Sequence, residues 1–403
     1  MNKRFQKGLA VSALTAMVVA PFAHPVYAVG TDANSNGLNE TTESTLNLKK
    51  DLTVRDLDDA NYTPETPNVT FSYTVSNGEA GTFTSKQEGK GNQVFQVKAG
   101  KDGNLVKVNN TAGTGNVVFT QDDTAKKGKV TKDIALDFSG ITFTEAGIYR
   151  YVITEADYTV NDNSQLTNAL PQTTTNKTRN VDVYVEQDGG AYKIKGYVVS
   201  KTSDSTGKDA GFTEEKTTGG EVDPTKSSVY STYDVTLTKK VDGVLTNSAG
   251  YTFTITLPTD DNGTYGYQMN NEKASTVETT NGNNTHTVTL AKDDTIKIQG
   301  LPVGATIDIA ENHVEGFKLP TITVDDAAKE MSNDDGAKKW TYSGVGSNNA
   351  NNDATDVVIT NKTENDSILP PTGILMTIAP FAAMVGLGAA LIALFAKKRK
   401  NEA

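Results

Sequence analysis

Three polar residues in the second half of the chain stand where a β-strand would turn its side chains toward a core. These residues are Lys239 in the alternating stretch VTLTKK, Glu311 at the end of ATIDIAE and Asn361 at the end of VVITN. Side chains two positions apart share one face of a strand, so each residue continues an apolar stripe, as Lys239 does after Leu237. Burying such groups is unfavourable unless they are paired. The pattern therefore predicts that these side chains pair with one another.

A lysine, a glutamic acid and an asparagine that meet in a core could form a covalent bond. Burial tends to deprotonate the amine and to protonate the carboxyl group. The neutral amine is a nucleophile for the carboxamide, and a protonated Glu311 can polarise the carbonyl and shuttle protons as the catalytic residue. The product would be an amide between Lys239 and Asn361, with loss of ammonia. A Lys–Glu ion pair at a sheet edge, or three solvated strand ends, would explain the same spacing without a reaction.

The first half of the chain carries a partial copy of this pattern. Lys50 follows Leu48 by two positions in TLNLKKDL, and Glu155 ends the alternating stretch GIYRYVITE. Each half thus opens with a strand that ends in a lysine pair and later carries a strand that ends in a single glutamate. The two halves look like weak copies of one another.

The elements that must position these residues are short alternating strands. Runs such as NVTFSYTV, IYRYVIT and YTFTITL are rich in Val, Ile, Thr and Tyr and are separated by Gly, Asn and Asp clusters. Strands of this kind, with one buried face, are typical of an all-β protein built from Ig-like β-sandwiches. A Ser-, Thr-, Gly- and charge-rich segment at 200–229 indicates a junction, so we expect two tandem domains at 45–229 and 230–366.

The N-terminal residues have the pattern of a secretory signal peptide. A basic start is followed by an apolar stretch and by small residues before Ala28, so residues 1–28 are expected to be removed. An uncleaved anchor is the alternative. Residues 29–44 are polar and aperiodic, which predicts a disordered leader.

The C-terminal residues 367–403 combine a rigid motif with a membrane anchor. The stretch 374–396 has no charged residue, and at ~1.5 Å per residue it is long enough to cross a bilayer as a helix. The basic tail 397–403 should keep the C-terminus in the cytoplasm. A buried core helix is the alternative. Directly before the anchor stands the pentapeptide LPPTG, formed by Leu369, Pro370, Pro371, Thr372 and Gly373.

Composition excludes several classes of protein. The chain has 49 acidic and 38 basic residues, a net charge of −11, which disfavours nucleic acid as a partner. It has no cysteine, so disulfides cannot stabilise the exported part. The three histidines, His24, His286 and His313, are isolated, and neither metal-ligand spacing nor a phosphate-binding loop occurs. We therefore expect no metal, no cofactor and no turnover of an external substrate; Glu311 would act once, on its own chain.

The chain resembles the backbone pilins of Gram-positive bacteria, particularly the two-domain streptococcal T-antigen type. The resemblance rests on TFTEAGIYRYVITE with its upstream Lys50, on LTKKVDG, GLPVGATIDIAE and VITNK in the second half, and on LPPTG with its apolar span and basic tail. It implies B-type collagen-adhesin-like (CnaB-like) domains that each carry an isopeptide bond made by a Lys, an Asn and a catalytic Glu. Lys239, Asn361 and Glu311 match these three positions in the second domain.

The first domain departs from that family pattern at the third position. Lys50 and Glu155 match, but the chain has no asparagine between Asn180 and Asn247. Where the family's asparagine is expected the sequence has Ser227 and Ser228. Either the first domain is not cross-linked, or a carboxylate such as Asp223 takes the place of the asparagine.

The resemblance also implies partners. A pilin-type sortase would cleave between Thr372 and Gly373 and pass Thr372 to a lysine of the next copy of the chain. That lysine is expected near the end of the first domain, where VDPTKSS offers Lys226, with Lys216 and Lys208 as alternatives. Minor tip and base pilins, peptidoglycan and possible contacts with a host surface complete the implied partners. The implied location is the Gram-positive cell wall, reached through a transiently membrane-bound precursor.

Two functions share all of these features. The first is a structural shaft subunit that polymerises covalently. The second is a monomeric, sortase-anchored adhesin that binds a host or matrix ligand through its β-domains. Two modules make a short stalk, which favours polymerisation.

Overall fold

The computed structural model describes residues 44–55, 62–87, 91–123, 128–160, 169–201, 209–243, 250–258, 263–273, 275–279, 283–347 and 354–364. These residues form β-strands joined by loops, with a short 3-10 helix at Gly103–Leu105. The signal peptide, almost all of the leader, the LPPTG motif and the apolar span lie outside the described residues and stay predictions. Within the described part, no helix has the length and hydropathy of a membrane span.

The first half of the described chain contains thirteen strands before the strand that joins the halves. They are β1 (Thr45–Arg55), β2 (Val69–Asn77), β3 (Gly81–Gln87), β4 (Gly91–Ala99), β5 (Lys107–Val108), β6 (Thr111–Ala112), β7 (Thr114–Phe119), β8 (Lys129–Asp137), β9 (Gly147–Glu155), β10 (Thr159–Val160), β11 (Thr178–Asp188), β12 (Ala191–Ser200) and β13 (Gly211–Phe212).

The second half starts with the longest described strand and contains twelve in its described part. They are β14 (Ser228–Asp242), β15 (Tyr251–Thr256), β16 (Gly263–Met269), β17 (Ser275–Thr279), β18 (Thr285–Leu290), β19 (Thr295–Pro302), β20 (Thr306–Asn312), β21 (Thr321–Val324), β22 (Ala327–Glu330), β23 (Ser332–Asp334), β24 (Lys339–Gly346) and β25 (Ala354–Lys362). The expectation of an all-β fold is confirmed.

The described strands form three sheets. A twelve-stranded sheet has the order β17-β16-β19-β14-β1-β8-β5-β6, with β13 on β1 and with β25, β21 and β22 continuing from β14. An eight-stranded sheet centres on β2, β9, β11 and β12 in the first half, and a five-stranded sheet, β18-β15-β20-β24-β23, lies in the second half. Apolar side chains of the twelve-stranded sheet pack with those of both smaller sheets in one core cluster.

Strand β14 belongs to both halves. Its first residues pair in parallel with β1, from Leu52 opposite Ser228 to Arg55 opposite Ser231. Its remaining length pairs with β19 and, in parallel, with β25. The predicted domain boundary between 229 and 230 lies inside this strand, so one continuous sheet crosses it; the division into two domains itself stays a prediction.

A second contact joins the halves beside β14. The Tyr62 hydroxyl donates to the carbonyl of Thr264 at 2.9 Å, and Glu65 accepts from the backbone N–H of Thr264 at 3.0 Å. The ring of Tyr62 also lies where a side chain at Gly266 or Gly300 would point, since a Cβ at either position would be within 2.7 Å of a ring atom. Both glycines therefore make room for a tyrosine of the first half.

The alternating pattern of the sequence determines which side chains enter the core. In β14 the side chains of Val235, Leu237 and Lys239 are buried, while Thr236 and Thr238 between them are half-buried. Leu237 is 1% exposed and lies between neighbours on both sides, opposite Ile296 of β19 and Val357 of β25. It is therefore a sensitive probe of packing in the shared sheet.

We predict that L237A lowers the free energy of unfolding by about 2–5 kcal/mol, because it removes buried methyl groups and leaves a cavity between three strands. The matched variant T238A changes the half-buried face of the same strand and should cost less than about 1 kcal/mol. Urea unfolding of both variants measures the difference. Equal effects would show that Leu237 does not face the core.

Candidate functional site

Lys239, Glu311 and Asn361 meet between two sheets in the second half. The Lys239 Nζ atom donates to Oδ1 of Asn361 at 2.5 Å and lies 3.2 Å from Oε1 of Glu311. The Asn361 carboxamide in turn donates from Nδ2 to Oε1 of Glu311 at 2.6 Å. Each of the three polar groups thus contacts the other two, which satisfies the pairing that burial demands.

Strand pairing determines this geometry. Lys239 on β14 and Asn361 on β25 belong to neighbouring parallel strands of the twelve-stranded sheet, and Asn361 stands opposite Val241, two residues beyond the lysine. Glu311 ends the buried stripe of β20 in the five-stranded sheet, opposite Phe253 of β15. The amine and the carboxamide therefore come from one sheet and the carboxyl group from the sheet that faces it.

Burial shifts both titrating groups toward their neutral forms. The side chains of Lys239 and Glu311 have no exposed surface. Desolvation lowers the pKa of Lys239 to about 8, although the Glu311 carboxylate opposes the shift. Desolvation also raises the pKa of Glu311, against the opposing effects of Lys239 and Asn361. The lowered pKa raises the fraction of the Lys239 amine that is neutral at pH 7, and the neutral amine is the nucleophilic form.

Two aromatic rings surround the amine of this site. The Lys239 Nζ atom lies 4.5 Å from the centroid of the Tyr251 ring and 5.7 Å from that of Phe253. Both rings belong to β15, and they exclude water from the amine. Burial raises the pKa of the Tyr251 hydroxyl to about 12, so this tyrosine is neutral at physiological pH.

Lys50 and Glu155 also meet, in the first half. The Lys50 Nζ atom lies 2.9 Å from Oε2 of Glu155 and donates to the hydroxyl of Ser228 at 2.8 Å. The Tyr73 hydroxyl donates to the same carboxylate at 2.6 Å. Burial lowers the pKa of Lys50, and Glu155 opposes this shift. The third group at this site is therefore a serine hydroxyl.

The structure places Asp223 away from the Lys50 amine. Asp223 accepts hydrogen bonds from the hydroxyl and the backbone N–H of Thr225, at 2.7 and 3.0 Å, and forms an ion pair with Lys226 at 3.2 Å. These contacts hold its carboxylate within the loop after β13, where it has no contact with Lys50. The described geometry gives no support to Asp223 as a substitute for asparagine.

The lysines considered as acceptors of Thr372 occupy different positions. Lys226 lies in a turn two residues before β14, with 43% of its side chain exposed. Lys216 is exposed and forms an isolated bridge with Val222. Lys208 lies outside the described residues. Lys226 is therefore accessible and lies next to the strand that joins the halves.

Sequence reasoning missed the aromatic residues of both sites. Phe71 lies 4.0 Å from the Lys50 amine in the first half, where Tyr73 binds Glu155, and Tyr251 and Phe253 flank the second amine. The signal was present, because both strands carry two aromatic residues two positions apart, in TFSYT and YTFTI. Spacing alone could not show that these rings face the lysines on the opposite sheet.

Comparisons with known proteins agree with the sequence motifs. A family model described as "Domain of unknown function (DUF7601)" matches residues 233–363, which include all three residues of the second site. A curated protein of Streptococcus pyogenes serotype M1, named "Pilin", is 28% identical over 298 residues, covering 71% of this chain and 76% of the relative. The resemblance to streptococcal pilins is thereby confirmed at the level of sequence.

Solved structures extend the similarity to the fold. The major pilin T3.2 of Streptococcus pyogenes matches with a TM-score of 0.50 at 19% identity, covering 80% of this chain and 99% of the pilin. A second major pilin structure from Streptococcus pyogenes matches with a TM-score of 0.50 at 17% identity and the same coverage. At these identities the matches establish the fold, which is that of the streptococcal major pilins.

We predict that E155A destabilises the protein by about 3–5 kcal/mol, because it leaves the buried Lys50 amine without its partner. E145A is the matched control, since it removes the exposed pair between Glu145 and Lys98, whose side chains are 60% and 39% exposed. The control should cost less than about 1 kcal/mol. Urea unfolding compares the two variants, and similar midpoints would contradict a buried pair at Lys50.

Proposed function

We propose that this chain is the structural backbone subunit of a covalently polymerised Gram-positive pilus. Sortase would cleave it between Thr372 and Gly373 and join Thr372 to a lysine of the next subunit, while an internal amide between Lys239 and Asn361 strengthens the second half. The observation that carries the proposal is the contact of the Lys239 amine with the Asn361 carboxamide, buried beside Glu311, in a chain similar in sequence and fold to streptococcal major pilins.

The geometry of the second site supports a direct reaction. The neutral Lys239 amine attacks Cγ of Asn361, and the Cγ–Nδ2 bond breaks as the new Cγ–Nζ bond forms. Glu311 polarises the carboxamide and transfers a proton from the amine to the departing nitrogen, which leaves as ammonia. Its Oε1 atom is suited to this transfer, since it lies 3.2 Å from Nζ and 2.6 Å from Nδ2. The bond forms once in each molecule and consumes no cofactor.

The internal amide would close a large loop. Lys239 and Asn361 are 122 positions apart, so in the chain-entropy model developed for disulfides the closure stabilises the fold by roughly 4–5 kcal/mol. An amide also survives reduction, unlike a disulfide. Tension applied near Thr372 would pass from Asn361 to Lys239 and then along β14, without extending the strands between them.

Polymerisation would use the segment before β14. The prolines of LPPTG favour an extended backbone, so little entropy is lost when the motif docks on a sortase. The sortase cysteine would hold Thr372 as a thioester until a lysine of the next subunit attacks it. Lys226 is the acceptor that we propose, because it is accessible and only two residues from the start of β14.

The proposed subunit would be exported, held briefly at the membrane by 374–396, and finally anchored through the pilus to peptidoglycan. Its partners would be a pilin-type sortase, further copies of the same chain, and minor pilins at the tip and base. Contacts with a host surface would be made by the assembled pilus.

The internal amide predicts a change in mass. The parent chain should be lighter than its sequence mass by one ammonia, about 17 Da, and a peptide map should join the peptides that contain Lys239 and Asn361. N361A, E311A and K239A should each show the full sequence mass and should lose roughly 4–5 kcal/mol of stability with the loop closure. K240A, on the exposed face beside Lys239, is the control and should keep the cross-link. An unshifted parent mass would contradict the internal bond.

If the subunits polymerise covalently, gels should show a ladder of polymer bands. Wall extracts from a Gram-positive host that carries a pilin sortase, boiled in SDS and immunoblotted, should show regularly spaced high-mass bands for the parent chain. K226A should abolish the ladder, while the matched variants K208A and K216A should retain it. A ladder that persists in K226A would make this acceptor assignment wrong. A single band for the parent would favour the monomeric adhesin.

A further inference from the structure

The parallel register identifies the residue of the first half that corresponds to Asn361. In the second half, Lys239 stands opposite Ile359 and Val241 stands opposite Asn361, so the carboxamide lies two register positions beyond the lysine. In the first half, Lys50 stands opposite Phe212 of β13.

Two positions beyond Lys50, Leu52 stands opposite Ser228, the first residue of β14. Ser228 therefore occupies the position of Asn361, although a loop of residues 213–227 separates it from Phe212 in the chain.

The facing sheets correspond in the same way. Glu155 on β9 stands opposite Tyr73 of β2, as Glu311 on β20 stands opposite Phe253 of β15. The aromatic ring nearest to each amine lies two positions earlier on the same strand. These rings are Phe71, 4.0 Å from Lys50, and Tyr251, 4.5 Å from Lys239. Corresponding strand positions in the two halves thus carry a lysine, a glutamate and two aromatic rings, and the position of Asn361 is taken by Ser228.

The reactive groups of the first half are buried and in contact. Lys50, Glu155 and Ser228 are 2%, 4% and 5% exposed. The Nζ atom of Lys50 is within 3.0 Å of both Glu155 carboxylate oxygens and 2.8 Å from the Ser228 hydroxyl. Among the described residues, the amine contacts one carboxylate, one hydroxyl and the Phe71 ring. None of them offers a carboxamide.

We propose that the first half contains a cross-linking site that is complete except for its acyl group, with Lys50 as nucleophile, Glu155 as proton carrier and Ser228 where a carboxamide is required. This inference rests on the Lys–Asn chemistry proposed for the second half. A serine side chain has a hydroxyl on a saturated carbon, so at this position the amine has no carbonyl carbon to attack and no nitrogen to displace. Lys50 therefore stays a free amine, and the contacts of this site with Glu155 and Ser228 stay non-covalent.

The proposal has a direct consequence for a serine-to-asparagine change. In S228N, the Lys50 amine would attack Cγ of the new side chain, the Cγ–Nδ2 bond would break, and Glu155 would carry a proton to the departing nitrogen. One molecule of ammonia leaves for each amide formed, as in the second half. The 178 positions between residues 50 and 228 would then be closed into a loop.

The Tyr73 hydroxyl is a difference from the second half that the new side chain must accommodate. Its hydroxyl donates to Oε2 of Glu155 at 2.6 Å, whereas the corresponding residue of the second half, Phe253, has no hydroxyl. In the second half the Asn361 carboxamide donates to the glutamate instead. The double variant Y73F/S228N therefore reproduces the second site more closely and frees the carboxylate for the asparagine.

The test is peptide mapping by mass spectrometry of the denatured, protease-digested full chain. The parent should contain the Lys239–Asn361 linkage and an unmodified Lys50. S228N, Y73F/S228N or both should gain a linkage between residues 50 and 228, lose a second ammonia, and unfold at a higher denaturant concentration in the first half. S228A is the matched control without an acyl group, and S228N/E155Q should lose the new linkage while keeping the original one.

The outcomes separate this inference from the proposed function. A parent without the Lys239–Asn361 linkage contradicts the proposed internal bond. A parent that has this linkage while Lys50 is already cross-linked overturns the inference alone. The inference is also overturned if S228N and Y73F/S228N both fold without a linkage at Lys50. If neither variant folds, the site does not accept a carboxamide, and the inference is equally wrong.

Discussion

Each half of this protein depends on one interaction, the pairing of a lysine amine that is buried between two sheets. Removing an amine from water is costly, so the surrounding strands must supply a carboxyl group and a further polar partner at hydrogen-bond distance. Lys239 finds these in Glu311 and Asn361, and Lys50 finds them in Glu155 and Ser228. Because the carboxyl group comes from the sheet facing the lysine, each cluster also fixes how the two sheets lie together.

Strand β14 connects the two clusters. It begins at Ser228, beside the Lys50 amine, and carries Lys239 eleven positions further on. If subunits are joined through Lys226, tension in a polymer would enter just before β14 and leave through Asn361. Most of the first half would then lie outside the segment of the chain that carries the tension. A non-covalent first half would be compatible with a strong polymer, because the strands around Lys50 would carry little of the tension.

The two halves use a corresponding arrangement of strands with different polar groups around the amine. In the second half a carboxamide contacts the amine, and burial of Lys239 and Glu311 would favour the proposed amide. In the first half a hydroxyl contacts the amine, and Tyr73 supplies the hydrogen bond to Glu155 that Asn361 supplies to Glu311. In the first half, the loop 213–227 separates β13 from β14, and its residue Lys226 is exposed to solvent.

The sequence alone predicts the all-β class, many of the longer strands and the burial of Lys50, Lys239, Glu311 and Asn361. Period-2 alternation decides which side chains enter a core, and this information is local. Which of the buried groups contact one another depends on the tertiary structure. Pairing between strands distant in the chain sets the register, so the alignment of Ser228 with Asn361 across an intervening loop, and the aromatic rings over each amine, could not be obtained from spacing.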